Sequence, residues 1–418
     1  MRGCGQRVDT LAQSTQASLK KSWYLLGPAF VAAIAYVDPG NVAANVSAGT
    51  QFGYLLLWVI VVANVAAGLV QYLSAKLGLV TGRSLPAAIG RRMGRPLRLT
   101  FWAQAEIVAM ATDVAEVIGG AIALRILFGL PLPLGGIITG VISLLLLSIK
   151  DSRGQLLFER VITGLLLTIA VGFAASFFVA TPPPGAVVGG LLPRFHGSES
   201  VLLAAAILGA TVMPHAVYLH SGLVLDRHGH PAAGQDRRWL LRVTRVDVVL
   251  AMAVAGTVNA AMLLVAAINL QGRGETASID GAYTAIHNTL GATIAVLFAI
   301  GLLASGLASS SVGAYAGAMI MQGLLHRSVP MLVRRLVTLC PAVAILAVGF
   351  DPTRALVISQ VVLSFGIPFA VLPLVRLTGN RELMGRDANH PVTTVIGWTV
   401  AVMVSVLNVV LICLTFAG

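Results

Sequence analysis

A chain of 418 residues in which 57% are hydrophobic and only 11% charged, with a mean hydropathy of +0.88, lacks the charged surface that a soluble domain needs. It reads as an all-α polytopic membrane protein. The net charge of +12 calls for no nucleic acid, because basic cytoplasmic loops beside anionic lipid account for it.

Residues 1–22 are polar and read as a cytoplasmic tail ahead of a single transmembrane domain over 23–418. No signal peptide is expected, since the following apolar run is too long and has no small-residue cleavage pattern; the first span itself directs insertion. Eleven apolar stretches follow, at about 27–48, 54–80, 100–124, 132–149, 160–180, 200–224, 246–270, 289–322, 330–349, 355–375 and 392–416. Each is close to the roughly 20 residues that cross a bilayer. The stretch over 289–322 is longer than one crossing needs, which predicts a helix that tilts, kinks or extends past the membrane.

Lys and Arg concentrate in cytoplasmic loops. With the amino terminus inside, the tail (Arg2, Arg7, Lys20, Lys21), the segment Lys76 to Arg98, the group Lys150, Arg153 and Arg160, the segment Arg227 to Arg245, and the groups Arg327, Arg334, Arg335 and Arg376, Arg381, Arg386 hold 24 of the 28 basic residues. Only Arg125, Arg194, Arg273 and Arg354 fall outside. That asymmetry predicts an odd number of spans and an extracytoplasmic carboxyl terminus. Compact loops and the lack of sorting signals suit a bacterial inner membrane.

The first stretch is interrupted at Asp38-Pro39-Gly40-Asn41, and the sixth, 175 residues later, at Met213-Pro214-His215. Pro39 and Pro214 each remove an amide donor, and Gly40 loosens the backbone, so both helices must unwind there. Unwound backbone at membrane depth is tolerated only where it lines a site or is buried in protein. Two breaks in corresponding positions of two halves point to a transporter's substrate site. Asp38 supplies an anionic oxygen, Asn41 an amide oxygen, Met213 a soft sulfur, and carbonyls freed near Gly209 and Ala210 add further oxygens. A mixed oxygen and sulfur shell suits manganese, iron or cobalt and disfavours magnesium and calcium. A lone buried Met is commonly a core filler and a lone Pro a mere kink, but an Asp at bilayer depth is a functional candidate by default.

The third stretch carries Glu106, Asp113 and Glu116, whose spacings of seven and three place them on one helix face. Two readings stand together. The carboxylates can form buried ion pairs, with Arg334 and Arg335 as partners, especially for Glu106, or they can carry protons through the low dielectric. His215 and His220, five apart, point to different sides of a helix and do not chelate one ion together. The loop from Asp226 to Arg245, with His228 and His230, reads as a solvated cytoplasmic loop more readily than as a metal-binding tract. Gly306, Gly313 and Gly317, among Ser309, Ser310 and Ser311, form a small-residue face for close helix packing. Cys4, Cys340 and Cys413 have neither metal-type spacing nor a disulfide framework.

Within GPAFVAAIAYVDPGNVAAN and GATVMPHAVYLHS, together with similarity from about residue 22 to the last span, the chain resembles the Nramp family of proton-coupled divalent metal transporters. The resemblance implies a LeuT-type fold: two inverted five-helix repeats, over about 23–180 and 200–376, plus an eleventh transmembrane helix over about 392–416. It further implies that Asp38, Asn41, Met213 and the carbonyl of Ala210 bind the metal, with Gln360 joining in an occluded state. The same match assigns Asp38, Glu106, Asp113, Glu116, Arg334 and Arg335 to a proton route, and gives His215 and His220 a part in the proton step or the conformational change. Many members carry Asn after Met-Pro-His where this chain has Ala216, which leaves the ligand set intact. Manganese is the ion implied by bacterial relatives.

The expected activity is secondary symport by alternating access, with the metal as cargo, the proton as coupling ion, membrane lipid as surroundings, and neither a resident cofactor nor an obligatory protein partner. The chain has no phosphate-binding glycine loop for a nucleotide motor and no His-Glu-x-x-His for an intramembrane metalloprotease. A magnesium transporter, or a sodium-coupled amino-acid transporter of the same fold, remains the alternative; the second has no need of a sulfur ligand.

Overall fold

The computed structural model describes residues 27–174, 182–230, 235–271, 278–327 and 329–417. The tail with Arg2, Cys4, Arg7, Lys20 and Lys21, together with Arg273 and the side chains of Lys150 and Arg153, lies outside the described residues. No strand occurs among the described residues.

The first half runs α1 (Pro28–Ala33), a 3-10 turn (Ile34–Val37), α2 (Pro39–Phe52), α3 (Leu57–Thr81), α4 (Leu85–Gly90), α5 (Arg95–Phe128), α6 (Leu132–Arg153) and α7 (Gln155–Ala174). After α8 (Pro184–Gly190), the order recurs: a broken pair α9 (Gly197–Thr211) and α10 (Pro214–His228), then α11 (Gln235–Asn269), α12 (Ile279–Leu290), α13 (Ala292–Leu325), α14 (Met331–Ala347) and α15 (Pro352–Gly379). The short α16 (Arg381–Met384) leads to α17 (Pro391–Ala417). Both halves thus read broken helix, long helix, short helix, 34-residue helix (α5 and α13) and two further helices.

Nine helices among the described residues are long and apolar enough to cross a membrane by length and composition. The two other expected stretches are present in forms that fall short of that measure. The first is split at Asp38, and the ninth is the 17-residue α14 with Pro341 inside it. Hydropathy located the spans but not the helix ends. The stretch read as 246–270 belongs to the 35-residue α11, and that read as 100–124 to the 34-residue α5, because the basic turns at their starts continue the helix beyond the apolar window. The long eighth stretch is the unbroken α13; at 1.5 Å per residue it spans about 51 Å, well beyond the bilayer core. Glycines in the left-handed region, Gly82 (φ 65°) and Gly129 (φ 69°), end α3 and α5, where a side chain would be strained.

Burial is organised for lipid. Val65 is 69% exposed while Asp38 is 0% exposed, and Leu145, Val249 and Val406 share the outward face with Val65. The polar residues of the apolar stretches, among them Gln71, Glu116, His220 and Gln360, are turned inward, as the cost of bare polar groups in hydrocarbon demands. Helices α5 and α13 pack against each other more extensively than any other described pair. Gly306 makes this possible, since a Cβ there would meet the Glu116 carbonyl at 3.0 Å and the Gly120 amide at 2.9 Å. The start of α1 is held from the second half, with the Asp247 carboxylate accepting from the amides of Gly27 (3.1 Å) and Ala29 (3.0 Å).

Gly306→Leu should force α5 and α13 apart and destabilise the fold by about 1–3 kcal/mol, while Gly164→Ala, with open space at its Cβ, should change little. Thermal unfolding of both variants in detergent checks this; equal midpoints would refute close packing at Gly306.

Candidate functional site

The site begins with two missing amides. A helix bonds each N–H to the carbonyl four residues earlier, so Pro39 leaves the carbonyl of Ala35 without its helical donor, and Pro214 does the same to Ala210. At the first break the chain tightens into the 3-10 turn and then extends at Asp38 (φ −68°, ψ 166°), which caps α2. Asp38 Oδ1 accepts from the backbone amide of Asn41 at 2.8 Å. Side chains of the second half take up the nearby carbonyls: Asn259 Nδ2 donates to Tyr36 O at 2.8 Å and Ser305 Oγ to Val37 O at 2.5 Å. At the second break Met213 (φ −70°, ψ 122°) occupies the matching position at the start of α10.

The two breaks meet through one amide group. Asn41 Nδ2 donates to Asp38 Oδ1 at 2.7 Å and to the freed Ala210 carbonyl at 2.8 Å. Gln360, on α15, donates from Nε2 to Asp38 Oδ2 at 3.3 Å. It approaches so closely that any Cβ at Gly40 would collide with its amide. Asp38, Asn41, Ala210, Met213 and Gln360 are all completely buried. The amide oxygens Asn41 Oδ1 and Gln360 Oε1 are buried with no donor. The centre therefore gathers a carboxylate, a carbonyl and two unspent amide oxygens, a set that suits a cation. Among the described residues no group of three or more His, Cys, Asp or Glu gathers to hold a metal.

The acidic face of α5 leads toward this centre. Glu106 Oε1 accepts from Arg334 Nη2 at 3.0 Å and Nε at 3.2 Å. Asp113 Oδ1 pairs with Arg335 Nη1 at 2.5 Å, and Arg335 also donates to Ser143 at 2.8 Å and to Ser310. Both expected arginine partners are thus engaged. Glu116 differs: it is completely buried, neither of its oxygens is in hydrogen-bond geometry with a partner, and the charges of Asp113, Arg335 and Asp38 act on it, with the Ser309 hydroxyl beside it. One turn further along, Gly119 is pressed against the ring of Pro39, so the acidic face abuts the first break. The glycines of α13 do more than pack helices. Gly313 leaves room for the Glu116 carboxylate, and Gly317 for the Arg334 guanidinium.

The two histidines face different helices, as their spacing requires. His215 Nδ1 lies 3.3 Å from Thr112 Oγ1 on α5, beside Asp113, and its Nε2 has no partner. His220 Nδ1 lies 2.7 Å from Gln71 Oε1 on α3, and Gln71 in turn bonds the hydroxyl of Tyr36 next to the first break. Sequence reasoning did not single out Gln71, Asn259 or Ser305. A polar amide inside an apolar stretch was the available signal for the first two. The segment from Asp226 to Arg245, read as a solvated loop, is mostly helical, since α10 runs to His228 and α11 starts at Gln235; His230, between them, has Nδ1 3.2 Å from Leu79 O. Cys340 and Cys413 are free and exposed.

A family model described as "Natural resistance-associated macrophage protein-like" matches residues 29–414. A relative from Mycobacterium tuberculosis (strain CDC 1551 / Oshkosh), named divalent metal cation transporter MntH, is 80% identical over 414 residues, covering 99% of this chain and 97% of that protein. Among solved structures, the Eremococcus coleocola manganese transporter in complex with an aromatic bis-isothiourea substituted compound superposes with a TM-score of 0.85 at 31% identity, covering 94% of this chain and 86% of that one. A nucleobase-cation-symport-1 family transporter shares the fold at a TM-score of 0.56 and 16% identity, with 93% of each chain covered.

Removing Arg335 alone would leave Asp113 as an unpaired buried charge, so Arg335→Ala should cost about 3–5 kcal/mol of stability. The double variant Arg335→Ala/Asp113→Ala should recover much of that loss. A double-mutant cycle in detergent unfolding tests it, and additive losses would exclude a coupled pair.

Proposed function

The chain belongs to the Nramp family, is a multi-pass membrane protein of LeuT-type fold with an eleventh helix, and acts in metal-ion transport; from that premise we propose that it imports divalent transition-metal ions, manganese foremost, together with protons by alternating access. The observation that carries the reading is the convergence of Asp38, Asn41 and the freed Ala210 carbonyl where the two helix breaks meet, with Gln360 closing on them. Similarity to a divalent metal cation transporter and to a manganese transporter supports the cargo class. The orientation with the amino terminus inside, in a bacterial inner membrane, belongs to the same proposal.

In this mechanism the ion enters from outside and takes the place between Asp38 and Ala210 O that the Asn41 amide nitrogen occupies. Turning that amide over exchanges its donor for Oδ1, which then faces the ion as a third oxygen. Gln360 contributes its own amide oxygen in the same way. Met213, three residues past Ala210 and opening α10, supplies the sulfur that favours a transition metal over magnesium or calcium. Proton transfer runs along α5. Glu106 and Asp113 are held by arginines, whereas Glu116 has no such partner, so Glu116 is the member of the stripe free to take up and release a proton near Asp38. His215, beside Thr112 and Asp113, links the second break to the same route.

Manganese uptake into proteoliposomes with an inward proton gradient tests the reading. Uptake should fall about tenfold or more in Asp38→Ala, equivalent to ~1.4 kcal/mol or more of lost binding or barrier stabilisation. In Met213→Ala, calcium and magnesium should become effective competitors. No manganese uptake by correctly inserted wild-type protein would sink the proposal and favour a magnesium or amino-acid cargo.

Glu116→Gln preserves shape and removes the titrating group. Manganese binding should persist while proton movement into the vesicles, followed with a pH-sensitive dye, is lost or uncoupled from uptake. Unchanged metal-driven proton influx would remove Glu116 from the route.

A further inference from the structure

Helices α3 and α11 run antiparallel, joined where Asn64 Nδ2 donates to Met252 O at 3.0 Å and, about two turns away, where Arg245 meets Tyr72. At that second junction a cleft of about 690 Å³ opens, lined by Tyr72, Arg238, Leu241, Arg242 and Arg245. Arg238, Arg242 and Arg245 are spaced by four and three and therefore share a face of α11. The face continues into Val246, Val249 and Leu250, all exposed, and the neighbouring face of α3 exposes Val61 and Val65. The arginine face thus stands at the end of a lipid-facing groove, at the boundary between apolar and polar surface. Tyr72, whose ring lies 5.0 Å beneath the Arg245 guanidinium, is the residue type that sits at such boundaries.

The adjacent Arg237 pairs with Asp387 at 2.9 Å, but no ion pair to Arg238, Arg242 or Arg245 occurs among the described residues. Guanidinium groups bind phosphate oxygens through paired N–H donors, and basic pockets between transmembrane helices take anionic headgroups.

We propose that this cleft is a binding site for an anionic phospholipid, with the phosphodiester held by Arg238, Arg242 and Arg245 and the acyl chains lying along the groove between α3 and α11. Apolar stripes leading directly into the arginines favour a lipid over a free anion, since a soluble phosphate would have no use for them. The site lies outside the metal centre, and the proposal does not depend on the cargo.

The test uses the full chain, delipidated and presented with phosphatidylglycerol or phosphatidylcholine of matched acyl chains, with bound lipid read by native mass spectrometry. Phosphatidylglycerol should bind in preference to phosphatidylcholine, and should bind about fivefold more weakly for each arginine replaced in the series Arg242→Gln, Arg245→Gln and the triple variant with Arg238→Gln. Arg91→Gln, exposed elsewhere, should leave binding unchanged. The single variants carry the test if the triple variant fails to fold. Equal retention of both lipids, unchanged binding in the cleft variants, an equal loss in Arg91→Gln, or displacement by inorganic phosphate would each overturn the proposal.

Discussion

A proline in a membrane helix leaves a carbonyl that water cannot reach, and that constraint shapes the centre of this protein. Ala210 O loses its donor because Pro214 has none to give, and in a bilayer such a group must find a partner within the protein. The partner is the Asn41 side chain, set by the capping turn at Asp38. One amide thereby joins the two broken helices and lines up carboxylate and carbonyl oxygens facing a common point. The contact between the two broken helices follows from the amide that Pro214 lacks.

The first break is handled differently from the second. Its carbonyls at Tyr36 and Val37 are taken by Asn259 and Ser305, side chains of helices α11 and α13, which fasten the unwound turn to the second half of the molecule. The carbonyl at the second break is bound only by a side-chain amide that can turn over. Some freed backbone groups thus hold a break in place, and another joins the two breaks to each other.

Charge in the membrane interior is distributed with similar economy. Glu106 and Asp113 are matched by Arg334 and Arg335, and a buried pair of this kind tolerates low dielectric only when both members are present and hydrogen-bonded. Ser143 and Ser310 complete the shell of Arg335. Glu116 stands apart, over the bare backbone of Gly313 and beside the Ser309 hydroxyl, with no cation paired to it among the described residues. Ion pairing thus takes two of the three carboxylates, Glu106 and Asp113, and leaves Glu116 outside any ion pair among the described residues.

The class of the protein, its apolar stretches, the two breaks and the single acidic face were legible because each depends on local properties. Hydropathy averages over about 20 residues, proline's missing amide belongs to the residue itself, and a spacing of seven and three falls on one side of any α-helix. The pairing of Arg334 with Glu106 was also anticipated, because so few partners exist for a charge at membrane depth. Helix ends, the short helices α4, α8, α12 and α16, and the roles of Gln71, Asn259 and Ser305 were not, since polar turns extend a helix without a hydropathy signal and a neutral amide has many possible partners. Only the tertiary structure decided that Asn41 reaches Ala210 across 169 residues and that Gln360 reaches Asp38 across 322. The physical reason is that a local rule states which backbone groups lose their partners, whereas the packing of distant helices determines which side chains arrive to replace them.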